Sequence, residues 1–252
     1  MMTLEEFFSQ HPKAALAFSG GTDSAYLLYA ASQCKADILP ILVKSPFLPL
    51  FELDDAKELA QTLGVPLKIA ETDPLKDDNI RTNPADRCYW CKKQIFSTIA
   101  KAAAEEGYTV LLDGTNASDD VHDRPGMKVL SEMQVLSPLR LCGLTKPQIR
   151  KLSKQAGLFT WNKPAYACLA TRIPAGQAIL EADLEKTERA EKALALMGFS
   201  DFRIRLLDGL ARIQVCPDQF ELVLKKRHEI EEVLKDDYAG VLLDLKERRG
   251  DG

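Results

Sequence analysis

Apolar runs and stretches of helical spacing alternate along the N-terminal half of the chain. Residues 14–18, 37–43 and 65–70 are apolar runs that predict β-strands, whereas residues 25–31 and 54–63 predict helices. The order strand, helix, strand, helix, strand predicts the doubly wound parallel sheet of an α/β protein. Ligands of such sheets bind at the carboxyl ends of the strands, so the loops that follow the apolar runs are candidate binding sites.

The pattern changes beyond residue 174. A helix, a hairpin, a second helix and a last strand are predicted in order, over residues 181–197, 202–215, 218–234 and 239–246. These elements predict a small α+β unit. We therefore expect an α/β domain at 1–174, in which a helix at 94–106 follows Cys91 and precedes a fourth strand at 110–113, and a smaller α+β domain at 175–252.

The chain of 252 residues carries a net charge of −4, so it has no overall basic field that would attract nucleic acid. Its N-terminus lacks the basic and then apolar order of a signal peptide, and no apolar run approaches membrane length. We therefore expect a cytoplasmic protein without a membrane partner. Six cysteines are too few for a disulfide scaffold, and in a reducing compartment they favour ligands or nucleophiles.

The sequence Ser-Gly-Gly-Thr-Asp-Ser at residues 19–24 connects the first predicted strand to a helix. Two glycines allow a tight turn, and the N–H groups and positive dipole end of the helix then favour an anion. Asp23 is unsuited to a loop that binds phosphate alone, and an acid beside phosphates is typical of bound Mg²⁺. No lysine follows the glycines, which disfavours the P-loop kinase mechanism. The alternative is an ordinary turn that Thr22 or Asp23 caps.

Two further loops follow predicted strands and are expected at the same edge of the sheet. Residues 43–49 offer a frame for adenine, and residues 113–120 carry polar groups suited to ribose, phosphate or metal, as a solvated turn also does. The residues predicted to bind a nucleotide are Ser19, Gly20, Gly21, Asp23, Ser24, Lys44, Gly114 and Asn116.

Cys88 and Cys91 form a C-x-x-C pair, and Cys168 lies in a later loop. A four-thiolate zinc site needs a second pair, which the chain lacks, and the basic and aromatic neighbours of the pair do not follow a thioredoxin-type motif closely. A third interpretation is a [4Fe–4S] cluster on three thiolates, which leaves one iron open to a sulfide or a substrate atom. The remaining cysteines lie in or beside apolar segments, so we expect structural thiols at Cys34, Cys142 and Cys216.

The loop at residues 19–24 resembles the SGGxDS loop of the PP-loop ATP pyrophosphatases, which cleave ATP between the α and β phosphates. The chain as a whole is similar to the LarE family, the ATP-dependent sulfur transferases of nickel-pincer nucleotide cofactor biosynthesis. The matching motifs follow in order along nearly the whole chain: SGGTDS at 19–24, RCYWCK at 87–92, DGTN at 113–116, RPG at 124–126, KPAYACLA at 163–170, RIP at 172–174, FRIR at 202–205 and ARI at 211–213.

The resemblance implies a PP-loop fold and a specific reaction. ATP adenylates a carboxylate of pyridinium-3,5-biscarboxylic acid mononucleotide with release of pyrophosphate, and sulfur then displaces AMP to give a thiocarboxylate. In some members a single cysteine, at the Cys168 position, gives up its own sulfur and becomes dehydroalanine. Others hold a [4Fe–4S] cluster with a labile sulfide on three cysteines. Cys88, Cys91 and Cys168 fill all three positions here, which favours the cluster type.

The same resemblance assigns further roles. It implies that Asp23 takes part in catalysis with the three cysteines, and that Arg172, Arg203 and Arg205 hold the substrate phosphate. Glu191 matches an acidic family position that binds metal, whereas Gln214 stands where glutamate is expected. The implied partners are ATP, Mg²⁺, the pyridinium mononucleotide, a sulfide or other sulfur donor, and further copies of the chain in a hexamer.

Other functions remain open at this point. A cluster-dependent tRNA thiolase of the same superfamily also uses three cysteines, although the net charge of −4 argues against tRNA as a partner. An amide-forming ATP pyrophosphatase would need no cysteine trio. A nucleotide-binding module without enzymatic activity would retain the glycine loop alone.

Overall fold

The computed structural model describes residues 2–119 and 125–248. Asp120 of the polar loop and Arg124 of the RPG motif lie outside these ranges. The helices are α1 Leu4–Gln10, α2 Thr22–Gln33, α3 Leu50–Thr62, α4 Asp78–Arg81, α5 Arg87–Glu105, α6 Pro125–Glu132, α7 Pro138–Leu141, α8 Lys146–Gln155, α9 Glu181–Leu196, α10 Phe220–Lys225 and α11 Arg227–Leu234. The strands are β1 Lys13–Ala17, β2 Asp37–Lys44, β3 Lys68–Glu71, β4 Leu111–Leu112, β5 Arg203–Leu207, β6 Leu210–Gln214 and β7 Val241–Leu243.

The larger sheet has the strand order β3-β2-β1-β4, and its strands pair in parallel. Leu16 of β1 packs with Phe7 and Leu28 from α1 and α2, whereas Ala15 packs with Phe96 of α5 in a second cluster. Because successive side chains of a strand point to opposite faces, these two clusters show that helices cover both faces of the sheet. The predicted α/β fold class with a doubly wound parallel sheet is confirmed.

The strand order places the loops of interest. The chain moves outward from β1 to β2 and β3 and then returns to the other side of β1 as β4. The carboxyl ends of β1 and β4 therefore flank the point where the order reverses, which is where doubly wound sheets bind their ligands. The loop after β1 contains residues 19–24, and the loop after β4 begins with Asp113 and Gly114.

The chain forms two compact units. Residues 1–74 and 86–163 make up the first unit, and residues 75–85 and 164–252 make up the second. In the second unit β5 pairs antiparallel with β6, β6 pairs parallel with β7, and α9 packs against β5. The sequence analysis placed the division at residue 174, later than it falls here. Hydrogen bonds tie both added segments to the second unit, since Asn83 Nδ2 donates to the Pro174 carbonyl and Arg203 Nη2 donates to the Ala165 carbonyl.

Two predicted helices differ in extent from the observed ones. Helix α5 begins at Arg87, so the C-x-x-C pair lies inside a helix rather than in the connection before it. The predicted helix over 218–234 is interrupted at Lys226, which separates α10 from α11. Within the described ranges, no helix is both long and apolar enough to span a membrane.

Candidate functional site

The loop after β1 turns at Gly20, where φ is +71°. A Cβ atom at this position would lie 3.0 Å from Ala56 Cβ and 3.1 Å from Ala56 Cα in α3. Both the backbone angle and the contact therefore require glycine. The tight packing onto α3 brings the loop close to the start of α2.

The backbone N–H groups at the start of α2 are available to a ligand. Gly21 is the residue that precedes the helix, and no described side chain caps the helix there. Ser19 Oγ and Ser24 Oγ lie 3.1 Å apart, and Ser24 Oγ donates to the Gly21 carbonyl at 3.2 Å. Backbone N–H groups, the positive helix dipole and two hydroxyl groups therefore share one small space, and this combination suits a phosphate.

The loop after β4 packs directly on this turn. A Cβ atom at Gly114 would lie 3.1 Å from Ser24 N and 3.4 Å from Ser24 Cα, so any other residue would push the two backbones apart by a few tenths of an ångström. The loop is held by its own side chains, because Asn116 Oδ1 accepts from Ser118 N at 2.7 Å and Asp119 Oδ2 accepts from Asn116 N at 2.9 Å. The structure thus brings Gly114 to the glycine loop, and it uses the Asn116 side chain to shape the second loop.

Asp23, in the first turn of α2, forms an ion pair with Lys146 at the start of α8. Lys146 Nζ lies 2.7 Å from Asp23 Oδ2, and the two side chains are only 20% and 23% exposed. Burial raises the pKa of Asp23, and the hydrogen bond and charge of Lys146 offset only part of that rise. The other oxygen, Asp23 Oδ1, is buried without a hydrogen-bond partner among the described residues. A carboxylate oxygen held in this way fits a Mg²⁺ ligand.

Sequence reasoning missed Lys146 because it lies far from the glycine loop along the chain. The local sequence signals only where α8 begins, since Thr145 and Gln148 form a capping box there. The Lys146 backbone N–H also donates to Ser118 Oγ at 3.0 Å, which ties α8 to the loop after β4. Lys44, which was predicted to contact ATP, pairs with Glu71 of β3 at 3.2 Å and is half exposed.

Cys88 and Cys91 lie in the first two turns of α5. A spacing of three residues places both thiols on one helix face. Cys88 is exposed and Cys91 is partly buried, and Arg87 Nη2 donates to Cys88 Sγ at 3.7 Å. A Cβ atom on Gly126 of α6 would lie 3.6 Å from the Cys88 carbonyl oxygen, so α6 packs beside the pair. This helix face supplies two soft ligands with the spacing that an iron–sulfur cluster or zinc accepts.

Cys168 lies in the second unit, before a single 3₁₀ turn at Leu169–Arg172, and its side chain is exposed. None of the six cysteines is in a disulfide, and Cys142 is buried as expected. Cys34 and Cys216 are partly buried. Within the residues that the structure describes, no three His, Cys, Asp or Glu side chains are grouped so that they would hold a metal ion.

The three arginines that were predicted to hold the substrate phosphate all contact the segment around Cys168. Arg172 Nη1 donates to the Ala167 carbonyl at 3.1 Å, Arg203 Nη2 to the Ala165 carbonyl at 2.6 Å, and Arg205 Nη1 to the Thr171 carbonyl at 2.6 Å. Arg172 and Arg203 are buried, whereas Arg205 is partly exposed. Burial and the nearby guanidinium groups lower the pKa of Arg203 to about 10 and shift the pKa of Arg205 in the same direction.

Glu191 of α9 lies at the centre of this arginine cluster. Its oxygens accept hydrogen bonds from Arg172 Nε at 2.7 Å, from Arg172 Nη2 at 3.1 Å, from Ile204 N at 2.9 Å and from the Tyr166 hydroxyl. A metal ion could bind this carboxylate only after some of these donors had left it.

Gln214 of β6 bridges two charged groups. Its Oε1 accepts from Arg205 Nε at 2.6 Å, and its Nε2 donates to Asp244 Oδ2 at 2.7 Å. An amide serves both partners, whereas the glutamate that the family pattern has here would place two carboxylates together. Glutamine at position 214 therefore suits its two neighbours, Arg205 and Asp244.

Comparisons with known proteins give three relatives, and no family model matches the chain. An uncharacterized protein of Synechocystis is 35% identical over 220 residues, which cover 86% of this chain and 82% of that protein. The pyridinium-3,5-bisthiocarboxylic acid mononucleotide synthase of Lactiplantibacillus plantarum is 32% identical over 205 residues, which cover 81% of this chain and 74% of that protein. An uncharacterized protein of Methanocaldococcus jannaschii is 31% identical over 233 residues, covering 92% and 88% respectively.

Proposed function

This chain belongs to the family of the pyridinium-3,5-bisthiocarboxylic acid mononucleotide synthase, the LarE family, and we propose that it is an ATP-dependent sulfur transferase acting on pyridinium-3,5-biscarboxylic acid mononucleotide. In this proposal ATP adenylates a carboxylate of the substrate, pyrophosphate leaves, and sulfur displaces AMP to form a thiocarboxylate. Cys88, Cys91 and Cys168 would hold a [4Fe–4S] cluster, and the chemistry that this cluster would supply is a labile sulfide for the transfer.

One observation supports the ATP-dependent half of the proposal most directly. One oxygen of Asp23 is buried and lacks a hydrogen-bond partner among the described residues, and the other forms an ion pair with Lys146. Both oxygens lie next to the start of α2, which no described side chain caps. A structural turn gains nothing from a buried carboxylate whose pKa burial has raised. Mg²⁺ at the phosphates of a nucleotide is usually bound by one or two such carboxylates.

The residues of the glycine loop have distinct tasks in the reaction. The N–H groups at the start of α2, with Ser19 and Ser24, would bind the β- and γ-phosphates, and Asp23 would hold Mg²⁺, which offsets charge on the departing pyrophosphate. Lys146, 2.7 Å from Asp23, supplies positive charge at the same place. Adenylation is needed because a carboxylate has only oxide as its leaving group, whereas the acyl adenylate has a phosphate.

The three cysteines allow two mechanisms of sulfur delivery. Cys88 and Cys91 share one helix face and Cys168 is exposed, so all three thiols are suited to be ligands. A cluster held by three thiolates leaves one iron for a ligand from outside the protein, which allows sulfide to be replaced after each turnover. In the other type Cys168 would lose its own sulfur, and the enzyme would act only once.

Anaerobic purification followed by iron and sulfide analysis tests the proposal. Wild-type protein should contain the cluster, release pyrophosphate only when the mononucleotide is present, and form thiocarboxylate repeatedly when sulfide is supplied. Cys88→Ala, Cys91→Ala and Cys168→Ala should each lose iron and multiple turnover, whereas Cys34→Ala is the matched control and should retain both.

Two results would change the assignment. Full activity of Cys88→Ala, with loss of one sulfur from Cys168 in the mass spectrum, would establish the single-turnover type. Zinc in place of iron after anaerobic reconstitution, or thiolation of tRNA rather than of the mononucleotide, would contradict the proposed mechanism and substrate respectively.

A further inference from the structure

We propose that Glu191 and Arg172 are positioning residues that hold Cys168 in place for sulfur transfer, and that they bind neither metal nor substrate phosphate. The inference rests on the proposed function for the role of Cys168. Its structural basis lies wholly within the second unit, in the segment 165–172, which we call the Cys168 segment.

The Cys168 segment depends on side chains for its conformation. It lacks strands, and its regular structure is limited to the 3₁₀ turn at Leu169–Arg172. The Thr171 side chain donates to the Cys168 carbonyl at 2.8 Å, and Thr171 N donates to the same oxygen at 3.0 Å. The Ala167 carbonyl accepts from Arg172. The backbone is therefore held on both sides of Cys168 while the thiol-bearing side chain stays exposed.

The hydrogen bonds of Arg172 hold the backbone beside Cys168 in place. Its side chain is 0% exposed, its Nε and Nη2 groups bind Glu191 in a fork, and its Nη1 group donates both to the Ala167 carbonyl and to Thr171 Oγ1 at 2.7 Å. A guanidinium with these partners would have to break several hydrogen bonds before it could bind a phosphate. Arg205, which is more exposed, is better placed to meet an anion.

Glu191 links three parts of the unit. It receives Arg172 and Tyr166 from the Cys168 segment and the Ile204 N–H from β5, while its own backbone belongs to α9. Two guanidinium groups contact the Tyr166 ring, with Arg172 and Arg203 at 4.5 and 4.7 Å from its centroid. A buried carboxylate with such partners stabilises one arrangement of the segment, because removing any partner leaves a buried charge unmatched.

The test compares Glu191→Gln and Arg172→Lys with Glu185→Gln, which removes the same charge from an exposed position of α9. Steady-state kinetics should show kcat reduced about tenfold or more with KM within about twofold, since positioning acts on the reacting group and not on substrate affinity. Thr171→Val is a milder variant that keeps the fold and removes the hydroxyl between Cys168 and Arg172. It should lower kcat in the same way.

Two measurements that do not depend on activity complete the test. The Thr171 and Ile173 amides donate to carbonyl groups of the Cys168 segment, and their hydrogen exchange should accelerate about tenfold in Glu191→Gln. Exchange in peptides of the first unit should stay unchanged. Binding of Mn²⁺ alone, followed by electron paramagnetic resonance, should have the same stoichiometry in wild type and Glu191→Gln.

The outcomes separate the possibilities. A raised KM with unchanged kcat in Arg172→Lys would identify a phosphate ligand, and loss of one Mn²⁺ equivalent in Glu191→Gln would identify a metal ligand. Either result overturns the inference, as would unchanged exchange at the Cys168 segment. Should wild-type protein form no thiocarboxylate, the proposed function fails, and the exchange and Mn²⁺ measurements still decide whether Glu191 positions the segment.

Discussion

Replacement of Lys146 by methionine should destabilise the first unit in a pH-dependent manner. The variant keeps the volume of the side-chain stem but leaves Asp23 without its ion-pair partner, so that a buried carboxylate loses the hydrogen bond at 2.7 Å. With exposures of 20% and 23%, the pair lies between surface pairs, which contribute up to about 1 kcal/mol, and fully buried ones, whose disruption costs about 3–5 kcal/mol. We therefore expect a loss of about 2 kcal/mol at pH 7.

The pH dependence follows from the pKa of Asp23, which burial raises in the folded protein and Lys146 partly lowers. Without Lys146 the pKa rises further. A carboxyl group whose pKa is higher in the folded than in the unfolded state favours folding below its unfolded pKa and loses that contribution as the pH rises through the folded value. The loss in the free energy of unfolding of the variant should therefore be small near pH 3.8, the ordinary pKa of an aspartic acid, and should grow toward pH 7.

Denaturant unfolding monitored between pH 4 and pH 7 measures the effect. A loss of about 2 kcal/mol corresponds to a decrease in Tm of roughly 4–8 °C for a protein of this size. Lys151→Met, an exposed substitution on the same helix, is the matched control. The double variant with Asp23→Asn should recover most of the loss, since no buried charge remains. Equal deficits at both pH values, or no deficit, would refute the assignment of Lys146 as the partner that stabilises Asp23.

Two further substitutions test the loops. Gly114→Ala would place a Cβ atom 3.1 Å from Ser24 N, so it should displace the start of α2 and weaken ATP binding by about tenfold or more, measured by calorimetry; unchanged affinity would contradict the close approach of the two loops. Gln214→Glu should destabilise the second unit by about 1 kcal/mol at pH 7, because two carboxylates then meet where the amide now donates to Asp244 at 2.7 Å. This loss of stability should disappear at low pH, and Gln214→Met is the uncharged control.

The sequence was sufficient to predict the architecture of the first unit and the position of its glycine loop. The strands and helices of an α/β sheet have local signatures, because apolar runs and helical spacing repeat within a few residues. Gly20 was also recognisable, since a tight turn between a strand and a helix favours a residue without a Cβ atom. The boundaries were less accurate, as α5 shows by beginning at Arg87, where no breaker separates the C-x-x-C pair from the helix.

The partners of the charged residues depended on the tertiary structure. Lys146 and Asp23 are 123 residues apart, and Arg203 reaches the Ala165 carbonyl across 38 residues, so no local pattern connects them. The motifs predicted which residues carry chemistry, because residue type and spacing are local properties of the chain. Only the packing of helices on sheets decided that Asp23 has a lysine partner and that Glu191 is surrounded by donors. Hydrogen bonds between distant residues exist only once the elements that carry them have come together.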